Sequence, residues 1–380
     1  MKALFIGSYP NPVEPFRSVF FRELIYEMAK QGIECTVISC VSITAYRSKI
    51  FQIPEYSVET LENGVKIEVY RPHIITYSAK KIGKWNTMSL TQKSIESKVL
   101  KLVKKINKTF DFVYGHFFLG GGLTAAKVGQ KFKIPAYIAY GECNFETEVS
   151  NKYIIKKEEM KGVRGIVAVS SYNKKDIEKR EFSKDIPVLL SNNSINEKVF
   201  HIKDKEKCRE ELGLSKNDFI VGFVGYFIER KGPERVLEAC SSLEKVKLAF
   251  VGKGENRPEG ENVIFCKSLS HEKIVDFLNA IDVFVLPTKN EGCCNAVIEA
   301  MACGKAIISS DLPFNHDILN NNNAILINPM DINAIRQAVI KLRDNKELRK
   351  KIGIQALKDS SRLTISYRAN NILEFIKSLN

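Results

Sequence analysis

Two carboxylates, Glu291 and Glu299, bracket the start of an apolar run in the stretch NEGCCNAVIEAMACGKAIISSDLPFNHD, from Asn290 to Asp317. The run IDVFVLPT before it has strand length and closes at Pro287, and AVIEAMA after it fits a buried helix, so the order is strand, loop, helix. In such a unit the loop sits at the carboxyl end of the strand. The first N–H groups of the helix, on Asn295, Ala296 and Val297, then point at whatever occupies the crevice, and a phosphate suits them best. Glu291 in the loop and Glu299 two turns later would hold hydroxyls on either side of that phosphate, one toward a sugar and one toward a ribose. The plain alternative is that Glu291 only complements the positive end of the helix dipole and that Glu299 is a surface carboxylate.

Two further segments place polar groups where strands end. FVGYFIERKGPE sets Arg230 and Lys231 after a strand. Breaking a sugar–phosphate bond develops negative charge on a diphosphate, which a fixed cation stabilises; a pair of surface charges beside a turn is the alternative. DFVYGHFFLGGGLTAAKVGQKFKIP reads as strand, loop, glycine-rich turn and helix, with His116 just past the strand. A lone histidine is more often a packing residue or a cap than a catalyst. Gly120 to Gly122 lack the spacing of a dinucleotide or P-loop turn and read as close backbone packing. His116 from one half and Lys231 and Glu291 from the other nevertheless converge on one interdomain site. No Asp-x-Asp pair is present, so no metal and no cofactor is expected, and protein cations would have to neutralise a diphosphate.

The elements that position these groups are repeated strand–helix pairs. With 380 residues the chain exceeds what one core usually covers, so two domains are expected. Alternation of short apolar strands with amphipathic helices in both halves predicts an α/β chain of two doubly wound, Rossmann-like domains facing each other across a cleft. The expected boundaries are 1–195, 196–365 and a C-terminal helix over 366–380. A hydrophobic fraction of 44% argues against disorder, and no apolar run approaches the roughly 20 residues of a membrane span. Nine scattered cysteines without C-x-x-C spacing fit reduced thiols in a cytosolic protein. Cys293 and Cys294 read as small apolar filler.

A net charge of +14 implies an anionic partner. It concentrates between Lys80 and Lys108, where Glu96 is the single acid. Ile95, Val99, Leu102, Val103 and Ile106 share one helical face, and Lys98, Lys101, Lys104, Lys105 and Lys108 fall on the opposite one. That face is either simply solvated or drawn to anionic lipid headgroups, with Trp85 near the interface. From 43 to 94 periodicity is weak; Asn63-Gly64 marks a turn in an exposed loop with a hairpin.

The run from Asn290 resembles the E-x(7)-E signature of the retaining family 4 glycosyltransferases, EG..N...EAMA.G followed by a strand, and every literal element of it is present. The resemblance implies a GT-B fold. It also implies that Glu291 lies against a donor sugar, that the backbone of Asn295, Ala296 and Val297 holds the distal phosphate, and that Glu299 holds the ribose. DFVYGHFFLGGG is similar to the family's D.V..H segment, which implies that His116 is near the sugar. Family members show G-R-x(n)-K-G with both cations on the diphosphate. Lys231-Gly232 is kept here, but Tyr226 stands where the first Arg does, leaving Arg230 as a substitute. Tyr140-Gly141 replaces the usual His-Gly, and Asn193, Ser194, Ile195, Asn196 and Phe200 stand in for Asn-Gly-Val-Asp and Phe. The implied reaction is metal-independent transfer from a nucleoside-diphosphate sugar by front-face substitution, with the leaving phosphate assisting deprotonation of the acceptor.

The SYPNP opening and the basic helix look like enzymes of bacterial surface-polysaccharide assembly. Such enzymes take lipid-linked or saccharide acceptors in the cytoplasm, as peripheral proteins on the inner face of the plasma membrane. Two other readings stand beside this one: an epimerase or phosphorylase of the same fold, and a basic, non-catalytic protein on nucleic acid or membrane with a degenerate sugar site. Intact Glu291, Lys231 and Glu299 argue against degeneracy, and the lack of aromatics in the lysine helix argues against single-strand stacking. Nucleic acid is not an expected partner.

Overall fold

The computed structural model describes residues 1–83 and 85–380; Lys84 and the Trp85 side chain, both within the lysine-rich stretch, lie outside the described residues. The chain divides into two units, 1–192 with 366–380, and 193–365.

The first unit opens with β1 (Lys2–Ile6), α1 (Val19–Lys30), β2 (Glu34–Ile38), β3 (Val41–Ser42) and α2 (Ile43–Tyr46). It continues through β4 (Tyr56–Thr60), β5 (Lys66–Tyr70), β6 (His73–Ile74), β7 (Lys81–Ile82), β8 (Trp85–Asn86) and α3 (Met88–Ile106). Then follow β9 (Phe112–His116), α4 (Leu123–Phe132), β10 (Ala136–Tyr140), β11 (Val163–Ala168), α5 (Ser171–Glu178) and β12 (Val188–Leu190). The second unit carries α6 (Lys205–Leu212), β13 (Phe219–Val224), α7 (Pro233–Cys240), β14 (Val246–Val251), β15 (Val263–Lys267) and α8 (His271–Ala280). It ends with β16 (Val283–Leu286), α9 (Asn295–Ala302), β17 (Ala306–Ser310), β18 (Ile325–Ile327), α10 (Ile332–Asp344) and α11 (Lys346–Ser360), before α12 (Ile365–Leu379) returns to the first unit.

Each unit is built on one sheet. In the first the order is β12-β11-β10-β9-β1-β2-β5-β4, parallel except for the β4–β5 hairpin. In the second it is β15-β14-β13-β16-β17-β18, all parallel. Strands such as FVYGH and VFVL are buried at every position, as expected of parallel strands covered on both faces. Chain order reverses between β1 and β9 in one sheet and between β13 and β16 in the other. At such a point the two following loops diverge to opposite faces and leave a crevice at the carboxyl ends of the strands.

The basic helix α3 is longer than its apolar periodicity predicts, because its first turns bury polar residues. Gln92 donates to Thr124 and accepts from the Gly120 N–H, and the Thr91 hydroxyl accepts from the Tyr77 N–H. Lys98, Lys101, Lys104 and Lys105 are exposed on it, while Val99 and Val103 are buried. Lys108 departs from expectation. Asn107 ends the helix at φ 51°, and Lys108 lies beyond it, paired with Glu68 at 2.8 Å and Glu34 at 3.7 Å; its charge is spent inside the unit.

Candidate functional site

In the second unit the loops that follow β13 and β16 are stitched together. The Lys289 N–H donates to the Arg230 carbonyl (2.9 Å) and the buried Arg235 guanidinium donates to the Pro287 carbonyl (2.8 Å). Glycine keeps the loop after β13 close to its neighbours: a Cβ on Gly252, just past β14, would lie 1.9 Å from the Gly225 carbonyl oxygen, and one on Gly232, which caps α7 at φ +79°, would lie 2.4 Å from an Arg235 guanidinium nitrogen.

The joined loops set three charged side chains on one point. Glu291 is 7% exposed. Its Oε1 accepts from Lys231 Nζ (2.5 Å), Arg230 Nη1 (2.8 Å) and the hydroxyl of the buried Thr288 (2.9 Å). Arg230 also donates to the Asn290 carbonyl. Burial pulls the Lys231 ammonium down, but the Cys294 sulfur and the Glu291 carboxylate beside it outweigh that and raise it above the ordinary lysine value. Lys231 is therefore a cation at neutral pH. Burial pushes the Cys294 thiol up to about 11, so at neutral pH Cys294 is an uncharged thiol and the Glu291 carboxylate is the counter-charge of Lys231.

Helix α9 starts directly after this cluster. Its first N–H bonded to a backbone carbonyl is that of Ile298, to Cys294 (3.3 Å); the Val297 N–H donates to the Cys294 sulfur, and the Asn295 and Ala296 N–H groups stand at the open end. The Asn295 side-chain oxygen is buried with no hydrogen-bond partner among the described residues. Glu299 is 7% exposed, and its carboxylate lies 3.6 Å from His271 Nε2, at the start of α8. Asn193 donates to the Cys293 carbonyl and steadies the same loop. Arg230, Lys231, Glu291, Asn295, Ala296 and Val297 thus gather where chain order reverses, with Glu299 further along α9. Tyr226, at the position of the family's first Arg, is 56% exposed. Among the described residues no three His, Cys, Asp or Glu side chains group as a metal site.

His116 occupies the corresponding place in the first unit, at the end of β9 beside the loop after β1. It is 6% exposed, with Phe20, Phe21 and Phe117 ring centroids 5.3, 4.6 and 4.3 Å away. Both ring nitrogens lack a partner among the described residues. Burial, aided by the charge of Arg368, lowers its pKa to about 3, so the imidazole is neutral. Next to it in the sheet, Glu142 follows β10 and accepts from the N–H groups of Phe118 (2.6 Å) and Gly141 (3.2 Å), yet burial raises its pKa to about 8. Tyr140 is a core residue bonded to Asp176 (2.7 Å).

Several of these groups carry no local sequence signal. Thr288 is one small polar residue in a loop. Arg368 does leave a trace, as a cation on the buried stripe Ile365, Ala369, Ile372 and Ile376 of α12.

Residues 204–359 match the family model described as Glycosyl transferases group 1. A putative teichuronic acid biosynthesis glycosyltransferase, TuaC of Bacillus subtilis (strain 168), is 27% identical over 356 residues, covering 90% of this chain and 89% of that protein. The capsular polysaccharide biosynthesis glycosyltransferase CapM of Staphylococcus aureus is 27% identical over 222 residues, 53% of this chain and 58% of CapM. Among solved structures, sucrose-phosphate synthase of Thermosynechococcus elongatus superposes with a TM-score of 0.78 at 16% identity, over 100% of this chain and 99% of that one. Anabaena HepE in complex with UDP and glucose does so with a TM-score of 0.69 at 15% identity, over 100% of both chains. The second unit thus carries the group 1 glycosyltransferase sequence pattern, on a chain whose fold is GT-B with two Rossmann-like domains.

Proposed function

We propose that this protein is a retaining glycosyltransferase of the family 4 type that moves a sugar from a nucleoside-diphosphate sugar to a lipid-linked or saccharide acceptor in surface-polysaccharide assembly. The observation that carries the reading is the meeting of Lys231, Arg230 and Glu291 with the open N-terminus of α9 at the point where chain order reverses. A diphosphate there meets a buried lysine held in its charged form, a second cation and backbone N–H groups. The unpartnered oxygen of Asn295 offers an acceptor to a ligand hydroxyl, and Glu299 suits a ribose. HepE, a protein of the same fold, has been solved with UDP-glucose, and the names of TuaC and CapM support polysaccharide synthesis.

In the reaction the bond from the anomeric carbon to the diphosphate breaks as the acceptor hydroxyl attacks the same face. The acceptor proton passes to the departing phosphate. Lys231, Arg230 and the α9 amides neutralise the charge that develops on it, without a metal or other cofactor. Glu291 orients the sugar, and His116, uncharged and with both ring nitrogens unpartnered among the described residues, orients a sugar hydroxyl. The exposed lysines of α3, Lys98, Lys101, Lys104 and Lys105, hold the enzyme on an anionic cytoplasmic membrane face. Thermal-shift titration with UDP, GDP, ADP and their common sugars tests the reading. One nucleotide series should raise Tm selectively, and Glu299→Ala should abolish that rise. No shift with any of them, in the presence of anionic vesicles as well, overturns it.

A further inference from the structure

The excursions that follow β3 and β6 expose apolar side chains that packing does not explain. In the 3-10 helix Arg47–Gln52, Ile50 is 5% and nearby Ile53 2% exposed in a small core with Val41, whereas Phe51 between them is 90% exposed. Ile43, at the start of α2, is 43% exposed. On the other excursion Ile75, Tyr77 and Ile82 are 51%, 45% and 61% exposed. Single exposed hydrophobics are ordinary, but these segments are fastened to each other. Thr44 Oγ1 donates to the Thr76 carbonyl (3.0 Å), the Ser42 and Thr76 hydroxyls share a hydrogen bond (2.5 Å), and β3 pairs with β6. The second excursion is in turn tied to the start of α3, through Thr91 to the Tyr77 N–H (2.8 Å) and Thr87 to the Lys80 N–H (3.0 Å).

The charge around these residues is mostly positive: the neighbouring acids are Glu14, which accepts from Tyr46 and pairs with Arg17, and Glu55, 3.5 Å from His73. Arg47, Lys49, Lys80 and Lys81 are exposed, and neither 43–54 nor 74–95 contains an acidic residue, although the chain holds 44 Asp and Glu. Aromatic and aliphatic side chains offered to solvent on segments that carry cations and no acid of their own suit an anionic bilayer, whose headgroups pair with the cations while its acyl boundary takes the apolar groups. A protein partner of ordinary composition would leave those cations without complementary charge.

We propose that the tied excursions 43–52 and 74–82 form a membrane-insertion platform, with Phe51 and Ile82 entering the acyl boundary of an anionic leaflet. The proposal deepens the reading of α3 as a membrane-facing helix, and the two fail separately: lysine contacts are removed by salt, insertion is not.

The test is flotation of the full-length protein with vesicles of phosphatidylglycerol and phosphatidylcholine, or of phosphatidylcholine alone, at low and high salt. Part of the binding to anionic vesicles should survive high salt. Phe51→Ser and Ile82→Ser should each weaken that part about tenfold, with Tm unchanged because both side chains face solvent, and Lys101→Glu with Lys104→Glu should remove only the salt-sensitive part. The chain has one tryptophan, Trp85, so a Phe51→Trp, Trp85→Phe variant carries a single indole at position 51, whose fluorescence should be quenched by brominated lipid. Vesicle binding that salt abolishes completely, with both serine variants unaltered and no quenching, overturns the insertion platform while leaving the α3 reading standing. Self-association lost in Phe51→Ser, without vesicle binding, would assign the surface to a second copy of the chain and overturn it too.

Discussion

Replacing Glu291 by Gln separates the two duties assigned to the second unit, because it should improve nucleotide binding while abolishing transfer. Gln keeps an oxygen for the Thr288 hydroxyl but loses the charge that Lys231 and Arg230 share at 2.5 and 2.8 Å. The donors stay cationic and keep their hydrogen bonds to the amide oxygen, but lose the ion-pair attraction, a cost of about 2–3 kcal/mol, below the roughly 3–5 kcal/mol of breaking a fully buried pair because Arg230 is partly exposed. At roughly 2–4 °C per kcal/mol for a domain of this size, the second unit should melt roughly 4–12 °C earlier. Burial then acts on Lys231 without its counter-charge and shifts its pKa down relative to wild type. A carboxylate roughly 8 Å from a bound phosphate repels it by about 2 kcal/mol at an effective dielectric of about 20. Its removal should therefore tighten nucleoside-diphosphate binding by about ten- to thirtyfold. If Glu291 orients the sugar, transfer falls by about 10²–10³. Calorimetric titration with the nucleotide diphosphate and a radiolabelled transfer assay read the two effects. Transfer at the wild-type rate, or nucleotide affinity that falls together with transfer, would refute the reasoning.

Gly232→Ala should cost about 1–2 kcal/mol for a side chain at φ +79°, and more because the new Cβ displaces Arg235 beside Lys231; urea unfolding and nucleotide titration should both register it. His116 titrates far below its unfolded value, so its share of stability is present above about 6.5 and is lost as pH falls toward 3. His116→Phe lacks that loss, so its Tm relative to wild type should improve from pH 7 to pH 4.5 while transfer falls. Glu142 behaves oppositely, since its folded pKa near 8 lies above the unfolded value, and its share of stability is lost as pH rises toward and through 8. Glu142→Gln should gain on wild type between pH 6 and pH 9 in the same melting experiment.

Legibility in the sequence followed locality. The strand, loop and helix that carry Glu291, Asn295 and Glu299 are contiguous, so a Pro stop, a Gly and an apolar helical run were enough to predict β16, the loop and the start of α9. The partners of Glu291 were legible as cations at another strand end, but their meeting depends on β13 and β16 being neighbours, which strand spacing alone does not dictate. Arg368 reaches His116 only because α12 returns to the first unit. The first turns of α3 were unreadable because hydrogen-bonded Thr91 and Gln92 stand where periodicity looks for apolar side chains. Within 43–82 the Asn63-Gly64 turn did signal the hairpin that β4 and β5 form, but the excursions 43–52 and 74–82 on either side were unreadable for a related reason: they pack a small satellite cluster rather than a sheet face, and several of their apolar residues turn outward.

The two points of chain reversal are alike in topology and opposite in electrostatics, which has a consequence for their chemistry. In the second unit a buried carboxylate holds two cations, and the first helix amides add positive potential, so the place suits a ligand of high negative charge and will follow ionic strength. In the first unit the two titratable groups at the reversal, His116 and Glu142, are kept neutral, and the charge that acts on the imidazole is the buried Arg368 guanidinium. The His116 imidazole sits among three aromatic rings far below its usual pKa, and Glu142 is held mostly protonated at neutral pH. A neutral imidazole can both donate to and accept from a hydroxyl, so the place suits an uncharged polyol. Salt should therefore weaken nucleotide binding through Lys231 and Arg230 and leave any His116-dependent sugar discrimination untouched. Measuring donor KM and the discrimination between sugar epimers across a salt series would separate the two, and a common salt dependence of both would contradict this division.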